Sequence, residues 1–184
     1  MKNFLVTGTQ RATEKALSQA LSRVLHNKIP VVVCIGTDAI VGDSLGPLVG
    51  SMLKEKIMGK TYVFGTVDSP ITAKDVPYVA EFVKNVYVDQ PILAIDAALG
   101  RKEEIGGIKV IGSPVKPGLG VNKNLSEIGT ASIIGIVEEK GNGKSFMSSV
   151  RLSLVYKQAQ IITSAIENYL KFCLENTGEN QLAN

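Results

Sequence analysis

One histidine, two cysteines and no run of basic residues: the sequence is short of most groups on which enzymes and nucleic-acid binders rely. The single histidine, His26, lies just before "NKIP" at the end of a candidate helix, so a Ser-His-Asp or Cys-His triad is hard to build from it. No HExxH, histidine pair or CxxC is present, which removes the usual zinc ligand sets. Two cysteines, Cys34 and Cys173, do not make a disulfide framework and read as small buried hydrophobes in a reducing compartment. The net charge of +3 is mild and scattered, and no basic-aromatic stripe argues for nucleic acid. No apolar run reaches the roughly 20 residues that span a bilayer. "MKNFLVTGTQ" lacks the long apolar core and small-residue cleavage site of a secretory signal. These absences lead to the expectation of a cytoplasmic protein with no membrane or nucleic-acid partner.

What is present alternates. Leu17, Ala20, Leu21, Val24 and Leu25 repeat at helical spacing, which predicts a helix from Gln10 to about His26. "IPVVVCIG" (Ile29 to Gly36) reads as a strand covered on both faces. A second helix face follows in Leu45, Leu48, Val49, Met52 and Leu53, with Ser44 or Gly46 as its cap and Pro47 in its first turn. Thr61 to Val67 reads as a strand, Val76 to Tyr87 as a helix, and Pro91 to Ala97 as a buried strand. "GIKVIG" and "ASIIGIV" are two more strands, and Leu154 to Cys173 is a long closing helix. With no internal repeat or linker, the expectation is one domain over residues 1–184: an N-terminal helix region to 28, an α/β core over 29–175 and a polar, fraying tail over 176–184. Strands alternating with helices predict an α/β fold, a three-layer sandwich with a mostly parallel twisted sheet and helices on both faces. In such folds ligands gather outside the carboxyl ends of the strands.

Two segments fall at that edge. "GTDAIVGDSLGP" (Gly36 to Pro47) follows the first buried strand. It is a glycine turn without the chemistry of a phosphate cradle: Gly36 and Gly42 are one residue too far apart for a P-loop, and Asp43 stands where the lysine should be. GxGxxG is absent as well. Asp38 has a structural reading as an Asx turn, and Asp43 as a carboxylate at the positive end of the next helix. Asp96 closes the apolar run "PILAIDA", where a charge is costly unless something satisfies it, a cap or hydrogen bond being one answer. The other is that Asp43 and Asp96 meet. Neighbouring strand ends are about 4.8 Å apart, and two carboxylates that close share a proton. Such a pair can activate a water with one member and protonate a carbonyl or leaving amine with the other.

"CIGTDAIVGDSLGPLVG", "AIDAALG" and "KPGLGVNKNLSEIG" together resemble the YyaC-type sporulation proteins of endospore-forming bacteria, over about Ile29 to Lys157. More distantly they resemble the spore germination protease, which shares one α/β fold with the hydrogenase-maturation peptidases. The resemblance implies a carboxylate pair as the site, and carried over residue by residue it falls on Asp43 and Asp96. It implies a peptidase acting on a protein or peptide during sporulation or germination, inside the sporulating cell or spore. The maturation peptidases add a histidine to bind nickel; none stands at a matching place here, so no metal or other cofactor is expected, a divalent-metal peptidase being the third reading. A catalytically inactive binding or regulatory module on the same fold is the second. Gly36, Asp38, Gly42 and Gly46 shape the first loop in this scheme, while Gly118, Gly120, Asn122 and Lys123 of the third segment would admit a backbone or orient a carbonyl. A homo-oligomer is left open.

Overall fold

A computed structural model describes residues 3–6, 10–57, 59–117, 126–141 and 150–182. The elements run β1 (Asn3–Val6), α1 (Gln10–Leu25), β2 (Val31–Cys34), α2 (Leu45–Lys56), β3 (Val63–Phe64), α3 (Val76–Val86), β4 (Ile92–Gly100), β5 (Ile108–Ile111), β6 (Ala131–Glu139) and α4 (Leu152–Leu182). Six strands form one mixed sheet in the order β1-β5-β6-β4-β2-β3. β3, β2, β4 and β6 are mutually parallel; β5 runs antiparallel beside β6, and β1, antiparallel to β5, edges that side.

Side chains on a strand alternate between faces, and here the alternation sorts the core. Val32 and Cys34 of β2 join Leu93, Ile95 and Ala97 of β4 in one cluster, packed with Leu17 and Leu21 of α1, Val49 and Leu53 of α2, and Ile162 and Tyr169 of α4. Val33, Ile35, Ile92 and Ala94 point the other way and meet Val76 and Val83 of α3. The continuous apolar runs of β2 and β4 are the pattern expected of strands buried on both faces. Cys34 and Cys173 are both buried and form no disulfide, and burial pushes both thiols up. No helix among the described residues is long and apolar enough to cross a membrane.

Several expectations shift. The segment before Ile29 is more than a helix: Asn3–Val6 pairs with β5 and edges the sheet. α4 continues to Leu182, past the point near Glu175 where the polar tail begins. β3 is two residues long, not seven, because Gly65 turns away at φ +83°. The chain returns at Ile71, which bridges to Ile35. β4 is longer than expected, nine residues, so Asp96 lies in mid-strand and not near its end.

The far end of β4 is held by ions. Glu104 is nearly buried and accepts from Lys109 Nζ at 2.8 Å and from the Arg101 backbone N–H at 3.0 Å, with Arg101 Nε at 3.4 Å. The Lys109 hydrogen bond, with those from Arg101, holds its carboxyl down to about 2. A lowered carboxyl stabilises the fold above its unfolded pKa, and that contribution fades as pH falls through the folded value. Glu104→Gln is therefore expected to lower Tm at pH 7 and to converge with the parent protein near pH 2, followed by circular dichroism melts.

Candidate active site

The site is built by one strand ending while its neighbour β4 continues. β2 pairs with β4 up to Cys34 opposite Ile95. Ile35 N–H still donates to Ile95 O at 2.8 Å, and Gly36 N–H turns to Ile71 O at 2.9 Å. β4 runs on beside β6, with Asp96 opposite Ile134 and Gly100 opposite Glu139. Asp96 thus sits one step beyond the last paired residue of β2. By strand alternation it shares a face with Ile92 and Ala94, the α3 side of the sheet.

The space above β2 is taken by its own following loop. The chain turns at Gly36, makes one 3-10 turn over Val41–Asp43, and starts α2 at Leu45. Thr37 N–H donates to Asp43 O at 3.1 Å, which draws Asp43 back over the end of β2. Gly36 has φ +140°, and a Cβ there would lie 2.0 Å from Asp43 O. A Cβ on Gly46 would lie 2.1 Å from Ile35 O and 2.6 Å from Ile35 N. Both glycines are thus required by backbone passing over backbone. At both positions the atoms that a side chain would meet belong to this chain's own backbone. Gly42 is buried in the 3-10 turn. Ser44 occupies the N-cap position of α2 but makes no side-chain cap; its hydroxyl donates to Val41 O at 2.7 Å.

Asp43 is half-buried and Asp96 is 7% exposed. Burial pushes the Asp96 carboxyl up to about 7, the charge of Asp43 adds to the rise, and the Ala97 N–H, donating to Oδ1 at 2.9 Å, works against it. Burial lifts Asp43 to about 6, opposed by the Thr37 backbone N–H. The fold therefore brings together the two carboxylates selected from the sequence, close enough for one charge to act on the other. Asp38 is exposed on the outer turn. Gly118, Gly120, Asn122 and Lys123 lie outside the described residues; the connection that carries them is closed at its base by paired Val115–Ile128 hydrogen bonds of 3.0 Å. His26 is exposed just past α1.

The Thr37 backbone N–H was not singled out from the sequence. Its only signal there is its place directly after the glycine that reverses the chain. Among the described residues no three His, Cys, Asp or Glu side chains come together as a metal site. The third segment, "GLGVNKNL", contributes no residue of those four types. Two carboxylates alone do not fit the nitrogen- or sulfur-rich ligand sets of nickel or zinc. As a pair near neutrality they can hold one proton between them, which suits acid–base work.

A curated protein of Bacillus subtilis (strain 168), "Uncharacterized protein YyaC", is 36% identical over 165 residues, covering 88% of this chain and 80% of the relative. The family described as "Protein of unknown function (DUF1256)" matches residues 6–165, which include Asp43, Asp96 and every strand but most of β1. On both comparisons the chain belongs to the DUF1256 family.

Proposed function

We propose that the protein is an aspartate-dependent peptidase of the spore germination protease type, acting on another protein during sporulation or germination. The observation that carries this reading is the pair itself: Asp96 within β4 and Asp43 in the 3-10 turn after β2, both raised toward neutrality, with the charge of Asp43 felt at Asp96. In the scheme the ionised member takes a proton from water, whose oxygen adds to the peptide carbonyl carbon. The protonated member gives its proton to the carbonyl oxygen or the departing amine, and the C–N bond breaks. Water is divided between the new acid and amine, so no other reactant is needed. Titration belongs to the pair and not to either residue. The reading includes a three-layer fold like that of the hydrogenase-maturation peptidases, and a place in the sporulating cell or spore.

A second reading has its own support. The spaces at Gly36 and Gly46 are filled by this chain's backbone, and Asp96 is nearly buried. A non-catalytic binding module would tolerate both. The test is incubation with unstructured proteins and extracts of spores, with new termini read by mass spectrometry. Peptidase activity is expected to drop about 100-fold or more in Asp43→Asn and in Asp96→Asn, the scale of a lost acid–base group. Rates should fall on either side of the range between about 6 and about 7, where one proton is shared. Cleavage that survives both substitutions in folded protein would rule the pair out, and partner capture without cleavage would leave the module.

A further inference from the structure

Asp96 has a cationic neighbour two strands away. Asp96 stands opposite Ile134 of β6, and Ile134 opposite Lys109 of β5, so the three form one row across the sheet. Ile108 and Val110, on either side of Lys109, belong to the core with α1 and α4, so Lys109 points to the other face, that of Asp96. Two strand spacings separate their backbones by about 10 Å. A cavity of about 530 Å3 lies beside Lys109, where β4 ends at Gly100 and β6 is followed by Lys140. Its wall is fixed by nearly buried Glu104, which holds Lys109 and Arg101, while Arg101 also pairs with Glu103 at 3.3 Å. Those pairs occupy two of the acids. Lys102 and Lys140, both exposed on the cavity, make no ion pair among the described residues and share it with one further acid, exposed Glu139. On the other side of the aspartate pair the sign reverses: Asp38 after β2 and Asp68 after β3 are exposed acids. Charge is therefore divided along the carboxyl edge, acidic over β3 and β2, basic beyond β4 and β6.

We propose that this cavity is a subsite for a carboxylate of the chain that binds at Asp43 and Asp96, held there by Lys102 and Lys140. The proposal deepens the peptidase reading and rests on it for the peptide nature of the ligand. An extended chain covers about 10 Å in about three residues, so the acid stands about three residues from the bond that lies at the aspartates. The edge also sets direction. With its acid toward β6, the other end of the bound chain passes Asp38 and Asp68, where a second acid would be repelled. Glu104 keeps Lys109 and Arg101 neutralised, which leaves the free positive charge with the two lysines on the rim. A lysine ammonium is a point charge with rotatable donors, so it holds a glutamate or aspartate side chain and a chain's terminal carboxylate by the same chemistry.

Fluorescence anisotropy of short labelled peptides with the full-length Asp96→Asn protein at low salt tests it, since binding is read without cleavage. The peptides are unstructured serine–glycine–alanine chains with either two central glutamates or two central glutamines, both amidated at the C-terminus, and the glutamine peptide with a free C-terminus. The glutamate peptide is expected to bind about 10-fold more tightly than the amidated glutamine peptide. Lys102→Glu combined with Lys140→Glu, with an unchanged circular dichroism spectrum, should abolish that preference. A gain seen only when the C-terminus is free would assign the subsite to a terminal carboxylate, and loss of that gain in the lysine variant supports the proposal equally. Equal binding of all three peptides overturns it, as does saturable binding of none. A preference that survives both lysine exchanges places the acid elsewhere and also overturns it. The peptidase reading fails separately, in the mass-spectrometric assay: selective binding without cleavage there keeps the subsite and makes it the docking point of a binding module.

Discussion

Asp96→Asn is expected to make the protein more stable at pH 8 while removing its proposed activity. The Asp96 carboxyl is raised from an ordinary 3.8 to about 7 by burial and by Asp43. A raised carboxyl means that the folded chain holds a proton which the unfolded chain gives up. The fold is then least penalised below about pH 4, loses stability as pH climbs from about 4 to about 7, and carries the full penalty above that. Three pH units correspond to about 4 kcal/mol. Asparagine keeps the shape and still accepts from the Ala97 N–H through its oxygen, but it never ionises. The two proteins should therefore unfold alike near pH 4, and the variant should gain on the order of 2–4 kcal/mol by pH 8, read from denaturant midpoints. A variant less stable than wild type at pH 8 would show that the charged form of Asp96 is held by partners other than Ala97. The combination of higher stability with lost cleavage is what a strained functional group predicts. A purely structural aspartate would destabilise when replaced.

The second large effect is structural. Gly46→Ala should cost about 3–5 kcal/mol, the range of a severe core clash. Its methyl carbon would enter within 2.1 Å of Ile35 O and 2.6 Å of Ile35 N. Neither atom can give way cheaply. Ile35 N is bonded to Ile95 O, and the next residue, Gly36, is bonded to Ile71 O. Relief must come from lifting the first turn of α2, which carries Asp43 with it. At about 2–4 °C per kcal/mol for a chain of this size, Tm should fall by roughly 6–20 °C in a circular dichroism melt. A fall of less than about 2 °C would mean that α2 is free to shift, and with it the placement of Asp43.

Much of this molecule can be read from residue order. The faces of α1, α2, α3 and α4, the buried character of β2 and β4, and the choice of Asp43 and Asp96 all follow from local pattern and residue type. Helical spacing and continuous apolar runs record burial directly, and a carboxylate at the top of such a run is conspicuous because charge there is costly. Three features were hidden. β1 is four residues whose strand character comes from pairing with Lys109 and its neighbours, about 100 positions away. β3 looks like seven residues of strand, yet only two pair, since Gly65 must pass close to Cys34 O. The glycines of the first loop read as loop-shaping, and only the fold shows that they pass against the backbone of Asp43 and Ile35.

Sequence alone determined the helical faces, the buried strands and the two acids, because each depends on neighbours within a few residues. Tertiary structure decided the mixed sheet, the register that sets Asp96 one step beyond the end of β2, and the reversal at Gly36 that returns Asp43 to it. Those depend on hydrogen bonds and desolvation between segments far apart in the chain, and a raised carboxyl exists only where such segments have closed over it.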